Sequence, residues 1–163
     1  MNKLRVGVVG VGHIGSSHAR LYAGIPTAEL TAIYDLDIGR ATSIAKKLGA
    51  TVARSLSEFT DLVNAASICT PTKSHHEIAL PLLQAGKHLL VEKPISENPK
   101  EASQLAELAT SKALILQVGH VERFNPVLSA LEARLTHPRF IEAHRLSPYP
   151  NRSTDIGVIL DRE

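Results

Sequence analysis

Apolar residues recur in two alternating rhythms along most of the chain, short unbroken runs followed by stretches with an apolar residue every third or fourth position. The run Leu4, Val6, Val8 and Val9 is apolar on both faces, the pattern of a central strand in a parallel sheet covered on both sides. Ser16 to Ala23 reads as the start of a helix, and Glu29 to Tyr34 as a second strand. Ile38, Ala41, Ile44, Ala45 and Leu48 share a helical face, with Gly49 as the stop. A short strand is predicted at Thr51 to Ala53, and Ser55 with Glu58 forms a capping box that opens a helix reaching Leu62 or Val63. Ala65 to Cys69 is a buried strand. Ser74 and Glu77 repeat the capping signature ahead of Ile78, Leu82 and Leu83, a face that ends at Gly86. Pro81 is expected to bend or break that helix, since it removes a hydrogen bond. A strand at His88 to Val91, a helix at Pro99 to Thr110 with proline in its first turn and a strand at Ala113 to Val118 complete the series.

Strand and helix alternation predicts an α/β fold, a doubly wound parallel sheet whose ligands bind beyond the carboxyl ends of the strands. Five stretches with special or polar residues follow predicted strands: Gly10 to Gly15, Asp35, Cys69 to Thr72, Glu92 to Pro94 and Gly119 to Arg123. From Asn125 the rhythm changes. A helix is predicted around Pro126 to Leu135, then an extended stretch from Arg139 to Ser147, a loop from Pro148 to Ser153 and an apolar run from Ile156 to Leu160. The expected division is a dinucleotide-binding domain over 1–122, with a linker helix and the incomplete start of a second domain over 123–163.

The first strand ends in Gly10, Gly12 and Gly15, spaced GxGxxG, and a helix follows. In that context the first glycine permits a tight turn, the second lets backbone approach a pyrophosphate and the third lets helix and strand pack closely. The phosphates would meet unpaired N–H groups at the positive end of the helix dipole. Asp35 follows the second strand at the spacing of the acidic residue that binds a ribose 2′-hydroxyl. Its alternative reading is a solvated turn or a helix cap. A carboxylate repels a 2′-phosphate, so NAD is expected over NADP, although Arg40 on the adjoining segment is within reach of a phosphate.

Bulk properties narrow the field further. The chain of 163 residues has room for one full core. Net charge is +2 and only three Phe and three Tyr are present without Trp, so there is no basic, aromatic platform for nucleic acid. A lone cysteine, Cys69, cannot form an internal disulfide and fits a reducing, cytoplasmic setting; it reads as a small buried hydrophobe. The apolar run after Lys3 and Arg5 breaks into glycines, which disfavours secretion or membrane insertion. No His or Cys spacing suits zinc, so no metal is expected. His76 reads as solvated, and His120 as a pocket or supporting residue.

At Glu92-Lys93-Pro94 the sequence resembles the glucose-fructose oxidoreductase, inositol dehydrogenase and MocA (Gfo/Idh/MocA) family. VGVVGVGHIGSSHA, the TP-x-x-x-H run from Thr70 to His75, GKHLLVEKP and VGHVERFNP carry the resemblance, and the last, with RLSPYPNRSTDIGVILD, looks most like the branch containing UDP-N-acetylglucosamine 3-dehydrogenases. The resemblance implies a Rossmann-type fold. It places Gly10, Gly12, His13, Ile14 and Gly15 on the pyrophosphate, Asp35 on the adenosine ribose, and Thr70, Pro71, His75 and Glu92 along the nicotinamide half. Lys93 would be catalytic, near nicotinamide and the reacting carbinol, and Lys93 and Arg123 would line the substrate pocket. A lysine there can hydrogen-bond the substrate hydroxyl and stabilise charge on its oxygen. From the residues alone, Lys93 reads equally as a partner of Glu92.

The family pattern also implies a histidine after the segment matching Asp155 to Asp161, acting as acid/base, whereas Arg162 and Glu163 follow here. The expectation is therefore an NAD-dependent oxidoreductase for a sugar or nucleotide-sugar hydroxyl, with a truncated start of an α+β substrate domain and little turnover of its own. The alternative is a non-catalytic NAD-binding or interaction module. Pairing of two copies through 139–163 is expected if that segment is ordered.

Overall fold

The computed structural model describes residues 2–132 together with 136, 137, 139, 140, 142 and 144. Six strands form one sheet among these residues: β1 (Leu4–Val9), β2 (Ala28–Tyr34), β3 (Thr51–Val52), β4 (Ala65–Ile68), β5 (His88–Val91) and β6 (Leu116–Val118). The helices are α1 (His13–Gly24), α2 (Ile38–Leu48), α3 (Leu56–Leu62), α4 (His75–Gln84), α5 (Pro99–Ser111) and α6 (Pro126–Glu132). Strand order is β3-β2-β1-β4-β5-β6 with every pairing parallel, the doubly wound Rossmann arrangement. The order reverses between β1 and β4, which opens the ligand crevice at their carboxyl ends.

Successive strand residues face opposite sides of the sheet, and the core is accordingly double. Val8, Val11, Ala19, Leu30, Ile33, Ala41 and Ala45 form one cluster under α1 and α2. Val9, Phe59, Ile68, Leu82, Leu83, Val91 and Leu105 anchor the other under α3, α4 and α5. Gly7 makes room for this second layer, since a Cβ there would lie 2.6 Å from the Phe59 ring.

Local chemistry accounts for most element ends. Asp37 Oδ1 accepts from Arg40 N–H to open α2 and Gly49, at φ 74°, closes it. Asn98 accepts from Lys100 N–H to open α5. At α3, Ser55 accepts from Glu58 N–H as a capping box requires, but Glu58 returns its bond to Arg54 N–H, one residue upstream of the cap. The second expected capping box does not form. A 3-10 turn at Thr72–Ser74 leads straight into α4, and Ser74 Oγ donates to Pro71 O and shares a hydrogen bond with the Thr70 hydroxyl instead. Nor does Pro81 break α4, which continues to Gln84. Leu82 and Leu83, both fully buried, hold the turn in place, and Glu77, whose carbonyl would have received the missing N–H, is exposed. The last strand is shorter than expected because Ala113 adopts φ 52° and delays it to Leu116.

The chain divides into two compact units, Met1–Gly119 and His120–Glu163, a break slightly before the expected 122/123 boundary. In the second unit, a 3-10 turn at Val121–Phe124 precedes α6, and Asn125 Oδ1 accepts from Val127 N–H at the start of that helix. Most of the stretches expected at Arg139 to Ser147, and all of Pro148 to Leu160, lie outside the described residues.

Candidate functional site

Parallel pairing carries each strand-end loop to the same edge. Gly10 N–H donates to Tyr34 O, Cys69 N–H to Val9 O, Glu92 N–H to Ile68 O and Gly119 N–H to Val91 O, all at 2.8 to 2.9 Å. A single row of hydrogen bonds thus aligns the loops after β1, β4, β5 and β6 with the end of β2.

In the first loop, Gly10 sits at φ 79°, and a Cβ at Gly15 would lie 1.8 Å from Gly10 O. Only glycine allows the turn at the one and the close approach at the other. Gly12 is the reverse case: a Cβ there would meet no described atom within 4 Å, so its face is open. Gly12 is also the N-cap of α1, and no described side chain caps that helix. The first-turn amides of a helix lack internal partners, so this open face presents N–H groups and the positive dipole end with room for an anion. His13 and Ile14, both exposed, flank it. Asp35 is tied directly to the loop, its Oδ2 accepting from Val11 N–H at 2.7 Å and its Oδ1 from Asp37 N–H at 2.8 Å. Arg40 stands beside it, Nη1 3.8 Å from Asp35 Oδ2 and Nη2 3.2 Å from Asp37 Oδ2. The helix cap is therefore Asp37, and Asp35 is left bridging two loops with lone pairs to spare.

The loops after β4 and β5 are joined through His75. Its ring is 1% exposed, with Nδ1 2.9 Å from Pro94 O and Nε2 2.8 Å from Thr70 O. Thr70 and Pro71 border the glycine loop, where a Cβ on Gly10 would lie 2.8 Å from Thr70 Cγ2. Lys93 is half-buried and precedes Pro94 through a cis peptide bond. Glu92 turns toward α1, its Oε1 3.3 Å from His18 Nε2. His18 Nδ1 is in turn 3.1 Å from Ser67 Oγ, which is 2.7 Å from Tyr22 Oη. Burial of Tyr22 raises its phenol above the ordinary value, partly offset by the bond to Ser67.

The glycine loop, Asp35, Thr70, Pro71, His75, Glu92 and Lys93 therefore all belong to the first unit and its strand-end row. Arg123 belongs to the second, in the turn Val121–Phe124, where its N–H donates to His120 O. The residues that sequence reasoning missed are His18, Tyr22 and Ser67. The signal was present: His18 and Tyr22 are spaced one turn apart beside the buried Gly15 and Ala19, and Ser67 is the polar residue of an apolar strand. His76, expected to be solvated, bonds to Gln104 Oε1 and links α4 to α5. Cys69, read as buried, is half-buried, and burial pushes its thiol pKa up. Among the described residues, no group of three or more His, Cys, Asp or Glu is placed to hold a metal ion, and no helix is long and apolar enough to cross a membrane.

Residues 4–120 match the family model described as oxidoreductase family, NAD-binding Rossmann fold. The chain belongs to the Gfo/Idh/MocA oxidoreductase family. Within this family it is 40% identical over 162 residues to UDP-N-acetylglucosamine 3-dehydrogenase of Acidithiobacillus ferrooxidans, covering 99% of this chain and 51% of that protein. The solved structure of the same dehydrogenase superposes with a TM-score of 0.90 at 39% identity, over 99% of this chain and 53% of that one. GenD2 from gentamicin A biosynthesis, solved in complex with NAD, gives 0.70 at 34% identity, over 73% of this chain and 35% of that one. The chain thus spans about half the length of that UDP-N-acetylglucosamine 3-dehydrogenase, and the NAD-binding Rossmann match covers nearly all of its first unit.

Proposed function

We propose that this chain is the NAD-binding, lysine-bearing half of a dehydrogenase acting on a hydroxyl of a sugar or nucleotide sugar, of the UDP-N-acetylglucosamine 3-dehydrogenase kind. The observation that carries the reading is the strand-end row, which lines up a glycine loop with an open uncapped helix start, an acid bonded to that loop and a half-buried lysine two strands away. These residues suit a dinucleotide: the open face at Gly12 with the α1 amides for the pyrophosphate, Asp35 for the adenosine ribose, and the loops at Thr70, Pro71 and Glu92 to Pro94 for the nicotinamide half. When bound, NAD would supply the acceptor for a hydride from the carbinol carbon. Lys93 would hold the substrate hydroxyl by donating from Nζ and stabilise the negative charge that builds on its oxygen. Arg123 is the further candidate for the substrate side.

Asp35 makes the cofactor preference testable. Its carboxylate accepts from a 2′-hydroxyl and repels a 2′-phosphate, and Arg40 is already shared between Asp35 and Asp37. Calorimetric titration is expected to show NAD binding more tightly than NADP, with Asp35→Ala narrowing the difference by about tenfold, the size of one lost charge-assisted hydrogen bond. Equal or reversed affinities in the unaltered chain overturn the assignment of Asp35. Any NAD reduction that these 163 residues support with UDP-N-acetylglucosamine is expected to be slow and to vanish in Lys93→Met. Persistence in that variant removes Lys93 from the mechanism.

A further inference from the structure

The residues on either side of Lys93, Glu92 and Pro94, are each held by a histidine on a different helix. On one side, His75 of α4 has Nδ1 2.9 Å from the carbonyl oxygen of Pro94. On the other, His18 of α1 has Nε2 3.3 Å from the carboxylate of Glu92. The first tether joins two neighbouring strand-end loops. The second reaches across the sheet to the helix that begins at the glycine loop.

The α1 tether is built in depth. Ser67 is fully buried beneath it, and Ser67 Oγ lies between His18 Nδ1 and Tyr22 Oη. A carboxylate offers only acceptors, so the proton of the neutral imidazole sits on Nε2, facing Glu92. Nδ1 then accepts from the Ser67 hydroxyl, and Ser67 accepts from Tyr22. Each proton is then used once, and the chain of bonds runs in one direction from Tyr22 through Ser67 and His18 to Glu92. Among the described residues no buried side-chain nitrogen or oxygen is left without a partner. Space beside the carboxylate is limited as well, because a Cβ at Gly119 would lie 2.7 Å from Glu92 Oε1.

We propose that His18 is a positioning residue for the nicotinamide side of the site: through Glu92 it fixes the Lys93 loop relative to the pyrophosphate loop at the start of the same helix. This rests on the reading of Lys93 as lying beside nicotinamide. His18 bonds to Glu92 and Ser67, one residue short of Lys93 in the loop and one helical turn beyond the glycine loop in α1. Its effect is on the spacing between them, so it acts on NAD as a whole and not on the adenosine half.

ADP-ribose carries the pyrophosphate and both riboses without nicotinamide, which makes the ratio of NAD to ADP-ribose affinity the readout. The variants are His18→Asn, whose amide oxygen can accept from Ser67 but whose side chain is too short for Glu92, and His18→Gln, whose amide nitrogen replaces Nε2. His18→Asn is expected to weaken NAD by about tenfold, on the scale of one hydrogen bond to a charged group, while ADP-ribose affinity stays unchanged. His18→Gln is expected to restore the ratio. If the two variants behave alike, or if NAD and ADP-ribose weaken together, the inference is overturned and His18 merely supports α1. Lys93→Met run alongside separates the layers. A drop in the ratio with Lys93→Met but none with His18→Asn overturns the positioning role alone. No drop with Lys93→Met, or no binding of either ligand by the unaltered chain, overturns the underlying reading and this inference with it.

Discussion

Cys69 is held as a thiol: burial first, and the Glu92 carboxylate second, push it up from 9.0 to about 12. Between those limits the unfolded chain has released a proton that the folded chain keeps, so the native state loses stability as pH rises from about 9 toward 12. The shift of Tyr22 acts in the same direction above its ordinary value of 10.0. Denaturant midpoints followed from neutral to alkaline pH are expected to fall more steeply for the unaltered chain than for Cys69→Ala; parallel curves would show that Cys69 is not perturbed. The thiol is also expected to resist alkylation at neutral pH, because the thiolate is the reactive form. His75 makes a related point about single side chains. Its place in the sequence run to Thr70 marks it for the site, yet both ring nitrogens lie against carbonyl oxygens in the interior, which is invisible until α4 is packed on the loops.

Elements, by contrast, were largely legible in the chain. The apolar runs of β1, β4 and β5 and the helical spacing of α2 and α5 are properties of consecutive residues, and pattern reading recovers them. Two of the misreadings concern choices between competing interactions. Ser74 had a helix to cap and a turn to close, and the turn prevailed. Of the bend or break expected at Pro81, the break does not occur, since α4 runs on to Gln84 with Leu82 and Leu83 buried. The glycine loop offers a test that separates fold from ligand at the level of one element. Gly15→Ala drives a methyl into Gly10 O and is expected to cost about 3 kcal/mol of stability, as overpacking does. Gly12→Ala meets no described atom, so thermal denaturation should move only slightly while NAD affinity falls. If Gly12→Ala leaves NAD affinity intact, the open face is not where the pyrophosphate approaches.

On the scale of the whole molecule, the buried apolar residues identified run from Val6 to Ala109, all within the unit Met1–Gly119. That unit carries its own two-layer core and the whole strand-end row. Limited proteolysis is expected to leave a product ending near residue 119 that still binds NAD, and loss of binding on the first cut would place essential contacts in the second unit. One close approach also has an evolutionary consequence. Because a methyl at 119 would press on the carboxylate at 92, drift at the end of β6 is coupled to drift at the end of β5. Homologues with a larger residue in place of Gly119 should carry a shorter or repositioned side chain in place of Glu92, and an alignment in which the two positions vary independently would show that the carboxylate has room this chain does not use.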